Sequence, residues 1–455
     1  MAYNFKPCER DQPYLLPPSL RDWLPEGHLA WFVLDAVEQM DLKALYGAYR
    51  TDGWGRASYE PRMMVTLLLY AYSVGERSGR RIERLCQQDV AFRVITASGM
   101  PDHTTVSRFR QEHEEVLERL FGEVLRLCQA AGLVKVGVVA LDGTKVKANA
   151  ALEANRTHDS IESEVKRMLA EAKAKDLEED ALYGKGNRGD ELPEELRSRK
   201  SRLARLKECK ERLEREAAGK AAAQEEKIQK RQAEEAETGR KKRGRKPRAA
   251  DASPAEEAKA NVTDPESRIM KTRQGYVQGY NAQAVTTKEQ IIVAAEVTQE
   301  ANDVKQLLPM LGKAQQELAQ AGVAEPIGSA LADAGYWSER NVMGADEEGP
   351  ELWIATTKDW KQRKAMREAP PPRGRLPGNL SQRDRMERKL LTKRGRALYR
   401  LRGQTVEPVF GQIKDARGCG RFLRRGLGAA NSEWRLICAT HNLLKLWRSG
   451  QAAWN

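Results

Sequence analysis

Along the first 130 residues, apolar side chains recur at three- and four-residue steps and are interrupted by Gly or Pro, which is the pattern of amphipathic helices. The longest blocks run from Ala30 to Met40, Pro61 to Val74 and Glu114 to Ala131. Shorter helices are expected from Gly79, from Val90 and, after a turn at Ser98-Gly-Met-Pro, from Asp102, a good N-cap. The Asp102 helix would turn Val106 and Phe109 inward and present His103, Thr104, Ser107, Arg108 and Arg110. That is the face of a DNA-recognition helix, and equally of a helical bundle with an arginine-rich surface.

Beyond Ala131 the period changes. Val134 to Asp142 is a β-branched run that ends on an acid before Gly143-Thr144, as in a buried strand. Gly275 to Val285 alternates, and Ile291 to Val297 follows after five polar residues, so the two should pair as an antiparallel hairpin. An amphipathic helix is expected over Asp303 to Gln320, a second strand ending on an acid over Ile327 to Asp333, and a further strand at Leu352 to Thr356. Asn431 to Trp447 reads as a helix with Trp434, Ile437, Cys438, Leu444 and Trp447 on one apolar side. Strands, helix and strands again predict an α/β domain with a mixed sheet, at 132–455, behind an all-helical domain at 1–131.

Charge changes this picture in two places. Between Ala151 and Ala260 there are 28 basic and 25 acidic residues and a single aromatic, Tyr183, so this stretch should not bury a core of its own. Its leucines at 196, 203, 206 and 213 suggest a long solvated helix or helical hairpin, followed by a basic knot at Arg240 to Arg248. It reads as a charged helical or partly disordered insertion at about 155–260, with a DNA clamp or self-association arm as the other reading. Between Pro371 and Arg425 stand 16 basic residues, Arg373 the first of them, against four acids, so nearly all of the net charge of +13 sits in one C-terminal stretch. Clustered Lys and Arg are what phosphate neutralisation requires, and double-stranded DNA is the expected partner. The six cysteines, Cys8 the first, form no Cys-x-x-Cys pair and no zinc-ligand spacing, and no run spans a membrane. A cytoplasmic protein with reduced thiols is expected, with no membrane partner.

The candidate chemistry lies at the strand ends. Asp142 and Asp333 each close a strand, where open α/β sheets build their sites. They are 191 residues apart, and removing the insertion leaves 85, enough for a hairpin, a helix and a return strand. Glu407 is one of the four acids in the basic stretch, before a Pro408 that would start a helix. A strand-end Asp is commonly only a turn or cap residue. Three separated carboxylates among bases instead suit Mg²⁺ or Mn²⁺ and two-metal phosphoryl transfer.

Leu141-Asp-Gly-Thr, Ala332-Asp-Ala-Gly-Tyr-Trp-Ser and Thr405-Val-Glu-Pro-Val-Phe-Gly-Gln-Ile-Lys resemble the three catalytic blocks of bacterial insertion-sequence transposases with a DDE catalytic domain. The N-terminal helices, with Pro101-Asp-His-Thr-Thr-Val-Ser-Arg-Phe-Arg, are similar to the domain that precedes it in these enzymes. The resemblance implies a ribonuclease-H-like fold in which Asp142, Asp333 and Glu407 form the catalytic, metal-binding triad for two ions. It further implies that Tyr399, Lys414 and either Arg400 or Arg402 contact DNA, joined by Arg417, Arg421, Arg424 and Arg425 of the basic stretch. His441 is expected in the packing core. The implied activity is cleavage at terminal inverted repeats and strand transfer into target DNA, with a second protomer in the synaptic complex of a bacterial, nucleoid-associated enzyme. The alternative is a DNA-binding protein without catalysis, either a helix-turn-helix regulator or a decayed transposase.

Overall fold

A computed structural model describes residues 19–49, 58–183, 194–241, 244–345, 349–372, 374, 377–452 and 454. Cys8, Lys242 and Arg243 of the basic knot, and Arg373 lie outside the described residues, as do the side chains of Tyr183 and Leu196. The chain opens with helices α1 (Leu29–Glu38), α2 (Lys43–Tyr46), α3 (Pro61–Ser73), α4 (Gly79–Gln88), α5 (Val90–Ile95), α6 (His103–Glu112) and α7 (Glu114–Ala130). Local chemistry sets their ends. Pro61 occupies the first turn of α3, where a missing N–H costs nothing, and the Glu60 side chain accepts from Met63 N. Asp102 caps α6 by accepting from Thr105 N at 2.6 Å. α3 is buried along most of its length, from Met64 to Ser73, and is the centre of the bundle.

The remainder runs β1 (Val138–Lys147), β2 (Asn155–Thr157), α8 (His158–Tyr183), α9 (Glu194–Thr238), β3 (Lys259–Asn261), β4 (Arg268–Thr272), β5 (Gly275–Thr287), β6 (Ile292–Thr298), α10 (Leu307–Gln320), β7 (Ser329–Ala332), α11 (Glu339–Met343), β8 (Glu351–Ile354), α12 (Trp360–Glu368), α13 (Gln382–Leu391), α14 (Lys393–Gly411) and α15 (Leu427–Ser449). The architecture is α/β with a mixed sheet, as the periodicity predicts. β5 joins β4, β6 and β1 by antiparallel pairing, and β1, β7 and β8 continue the sheet in parallel. Asp142, expected at a strand end, instead lies in the middle of β1, opposite Ala284 of β5. The strand runs on because β5 is long enough to pair with it as far as Lys147, beyond the reach of β7.

α15 closes the sheet's open side. β6 has only β5 as a neighbour, so part of its backbone needs partners elsewhere. Asn442 supplies two, its Oδ1 accepting from Ile292 N at 2.8 Å and its Nδ2 donating to Ile292 O at 2.8 Å, and Asn431 Oδ1 accepts from Val297 N at 2.9 Å. The other side of α15 packs on α7 and α3, so one continuous apolar core runs from the N-terminal helices through the sheet. Two buried ion pairs fix α15 to its other neighbours, Arg435 to Glu317 of α10 and Glu433 to Arg77 in the loop after α3, both at 2.7 Å.

The insertion does bury a small core, against expectation. Ile161 and Val165 of α8 meet Leu206, Cys209 and Leu213 of α9 and Ala260 of β3. Antiparallel helices shared this way need only a narrow apolar seam each, which a composition count over the whole segment hides. Arg212 pins α9 to the loop before β4 by donating to the carbonyls of Lys259, Pro265 and Ser267.

His441 lies in α15, buried, with Nε2 3.0 Å from the Gln290 carbonyl oxygen. Burial, then Arg417, Lys445 and Arg448, push its pKa down to about 3, against a smaller opposing effect of the Gln290 carbonyl. The unfolded chain, where His titrates near 6.5, therefore binds the proton first. Stability should be full above about pH 6.5 and fall as the pH drops towards 3. Thermal melts of His441→Gln should show a shallower decline between pH 6.5 and 4 than the parent, whereas an identical slope would remove His441 from the account.

Candidate active site

Three backbone features bring the predicted acids to one region. Register in the parallel pair sets Leu141 against Ala332, so Asp142 and Asp333 follow at the same level on neighbouring chains. Each carboxylate is anchored locally, with Gly143 N donating to Asp142 Oδ1 at 2.8 Å and Gly335 N to Asp333 Oδ1 at 2.7 Å. The third feature is α14, which crosses this end of the sheet and presents Arg402 and Glu407. Arg402 bridges the acids, with Nη1 3.1 Å from Asp142 Oδ2 and Nη2 2.9 Å from Glu407 Oε1.

The electrostatics follow from burial. Asp142 is largely removed from water, which pushes its carboxyl up to about 6; Arg402 opposes the rise, while Asp333 and Asp303 add to it. Burial works against the Arg402 charge too, but Tyr399 and the carboxylates of Asp142, Glu407 and Asp333 outweigh it and hold the guanidinium protonated. Of the two arginines the sequence leaves open, Arg402 takes the place between the acids, and Arg400 is exposed. Among the described residues no three His, Cys, Asp or Glu side chains converge closely enough to hold an ion as they stand. The space between Asp142 and Glu407 is filled by the Arg402 guanidinium, a cation of the protein's own.

Pro408 does not start a helix, contrary to expectation; it sits inside α14. A proline there leaves the carbonyl four residues earlier without its N–H, and Gln290 Nε2 donates to that Gln404 carbonyl at 3.1 Å. α14 passes directly into a π-helical turn, Gln412–Ala416, that carries Lys414. Lys414 Nζ donates to Thr144 Oγ1 at 3.0 Å and to the Lys145 carbonyl at 3.1 Å, beside the strand that bears Asp142. Tyr399, Arg402 and Glu407 line a cavity of about 570 Å³ with Thr356, Met366 and Leu390.

The remaining predicted residues divide by exposure. Thr104, Ser107 and Arg108 of α6 face solvent, and His103 pairs with Glu83 at 2.7 Å. Arg110 is turned inward, against expectation, donating to Tyr72 Oη at 3.2 Å and the Arg77 carbonyl at 2.8 Å. Arg417 is likewise spent on the fold, donating to Thr440 Oγ1 at 2.9 Å and the Ile437 carbonyl at 3.1 Å. A helical period over α6 puts Arg110 one step from Val106 and Phe109, on the buried side, so this inversion has a physical basis. Arg424 pairs with Glu114, whereas Arg421 and Arg425 are exposed. Ser107, Asn149, Arg424 and Arg425 share a polar cavity of about 610 Å³, which places α6 beside the C-terminal basic segment.

Sequence reading missed Asp303, which stands just before α10 with Asn281 Nδ2 at 2.6 Å and Gln283 Nε2 at 2.8 Å on its Oδ1. It also missed Tyr336, a fully buried phenol that donates to Gln283 Oε1. The only signal in the sequence was an acid at the head of a helix, indistinguishable from a cap.

Family models match the chain twice: a transposase domain (DUF772) over residues 18–112, which takes in α1 to α6, and a transposase DDE domain over residues 377–447. The chain carries both domains of an insertion-sequence transposase. No curated protein and no solved structure matches it. The DDE match takes in Tyr399, Arg402, Glu407 and Lys414 but neither Asp142 nor Asp333. Asp142 and its strand are joined to the matched segment physically, by Arg402 on Asp142 and by Lys414 on Thr144 and Lys145 of β1. Among the described residues no helix is long and apolar enough to cross a membrane.

The division by exposure is testable. Arg110→Met and Arg417→Met should each cost about 1–3 kcal/mol in thermal or chemical unfolding, because buried carbonyls lose their donors. Arg421→Ala and Arg425→Ala should leave stability unchanged and instead weaken binding to DNA of any sequence, with a shallower salt dependence. Unchanged melting of both methionine variants would return those arginines to the surface.

Proposed function

We propose that this transposase cleaves DNA at the ends of its element and joins the freed 3′-hydroxyl to target DNA, with Asp142, Asp333 and Glu407 as the acids of a Mg²⁺ or Mn²⁺ site. The observation that carries this reading is the arrangement of Asp142 on β1 level with Asp333 just past the parallel β7, with Asp142 tied to Glu407 through Arg402. The donor set fits such ions: all three groups are hard carboxylate oxygens, and a guanidinium already sits between two of them as a cation would. The order β6, β5, β1, β7, β8, antiparallel across the first three and parallel across the last three, supports the ribonuclease-H-like fold that the resemblance implies.

When bound, paired divalent ions supply Lewis acidity, favouring an ionised attacking oxygen and neutralising the leaving one. The chain's own residues supply the frame. Gly143 and Gly335 each hold one oxygen of the neighbouring aspartate by an N–H, so the carboxylates keep their orientation in the absence of DNA. Glu407 is exposed and free to meet the scissile phosphate's surroundings, while Arg402 keeps positive charge against the buried acids. Lys145 on β1 and Lys414 beside it add positive charge for the phosphate backbone. The exposed Thr104, Ser107 and Arg108 of α6 would read the terminal inverted repeats, and Arg421 and Arg425 would hold the backbone. Holding two ends together requires a second copy of the chain.

The test is cleavage of a labelled duplex bearing the element's end, with Mg²⁺, by the full chain and by Asp142→Asn. Cutting should fall at least about a hundredfold in the variant with duplex binding retained. An intact protein that binds the duplex and never cuts it, indistinguishable from the variant, would instead favour a non-catalytic DNA-binding protein.

A further inference from the structure

Resting on the proposed cation site, we infer that Asp303 is its fourth acid, adding a carboxylate oxygen between Asp142 and Asp333 from a part of the chain that neither family match reaches. Asp303 leaves β6 five residues after its end and is held by one oxygen: Oδ1 accepts from Asn281 Nδ2 at 2.6 Å and Gln283 Nε2 at 2.8 Å, with Lys145 Nζ at 3.7 Å. Its other oxygen lies near Gly335, two residues after Asp333. A Cβ on Gly335 would meet Asp333 Oδ1 at 2.8 Å and Asp303 Oδ2 at 3.3 Å, so both acids reach one point that only a glycine leaves open. A Cβ on Gly143 would run into Gln283 Nε2 and would also meet Asp303 Oδ1 at 2.7 Å and Asn281 Oδ1 at 2.9 Å. Both glycines adjoin the proposed acids, and both leave room for Asp303.

A second, independent observation points to a ligand here. Asn281 is fully buried, yet its Oδ1 has no hydrogen-bond partner. An orphaned acceptor at that depth costs free energy unless something meets it. The oxygen sits in the cradle against Gly143, next to Asp303. Tyr336, fully buried, donates its hydroxyl to the Gln283 that anchors Asp303. Asn281, Gln283 and Tyr336 thus act as positioning residues, fixing a carboxylate whose second oxygen faces the proposed site.

The experiment measures Mn²⁺ binding to the full chain by titration calorimetry, without DNA, alongside the Mn²⁺-dependent rise in melting temperature. Asp303→Asn should weaken Mn²⁺ binding about tenfold or more and reduce the thermal rise, while Asp303→Glu, which keeps the charge, recovers part of both. Melting without metal shows whether each variant folds; if Asp303→Asn does not, Asp303→Ser, a smaller neutral side chain at the same position, takes its place. Mn²⁺ affinity unchanged in Asp303→Asn but lost in Asp142→Asn would overturn the role of Asp303 and leave the proposed site standing. No Mn²⁺ binding by the parent chain would overturn both.

Discussion

Gathering carboxylates at one end of a sheet sets a problem of charge, and the Arg402 guanidinium is how this chain meets it. Asp142 is buried in mid-strand, Asp333 lies level with it, and Asp303 approaches from the hairpin, so each ionised group raises the cost of the others. Arg402 reaches across from α14 to Asp142 and extends the same cation to Glu407, an exposed acid that would otherwise have no tie to the sheet. The position of α14 over the sheet, and with it Tyr399, Glu407 and Lys414, is therefore coupled to the ionisation of Asp142. The folded chain supplies a cation of its own at this place.

The rest of the architecture holds α14 where that bridge is possible. Gln290, at the tip of the β5 and β6 hairpin with φ of 66°, satisfies the carbonyl freed by Pro408, and its Oε1 accepts from Gln412 and Lys445. Its own carbonyl meets His441 of α15. One turn residue thus connects the hairpin with α14 and α15. α15 in turn covers the edge of β6 and packs on α7, so the N-terminal helices and the sheet share a core. Exposed residues of α6 and the basic segment after Lys414 consequently lie on one molecule with fixed spacing, which suits the proposed recognition of DNA in one place and action on it in another.

Much of this was legible in the sequence because it depends on local period. The helices of the N-terminal domain, the β5 and β6 hairpin, α10 and α15 follow hydrophobic spacing within a few residues, and Asp102 caps α6 as its side chain suggests. What escaped depends on partners distant in sequence. β1 runs past Asp142 because β5 pairs with it, Pro408 is tolerated inside α14 because Gln290 repairs the backbone, and Arg417 is buried because Thr440 and the Ile437 carbonyl accept its protons. The α8 and α9 seam was hidden by averaging charge over a hundred residues. Asp303 carried no pattern of its own; only the two glycines' close approach and the orphaned Asn281 oxygen mark it.

The most direct measurement is a crystal structure of the full chain soaked in Mn²⁺, read by anomalous scattering. The account predicts anomalous density against the carboxylates of Asp142 and Asp333, with the Arg402 guanidinium shifted from its place between Asp142 and Glu407. Undisturbed Arg402 contacts and no anomalous density near those aspartates would contradict it.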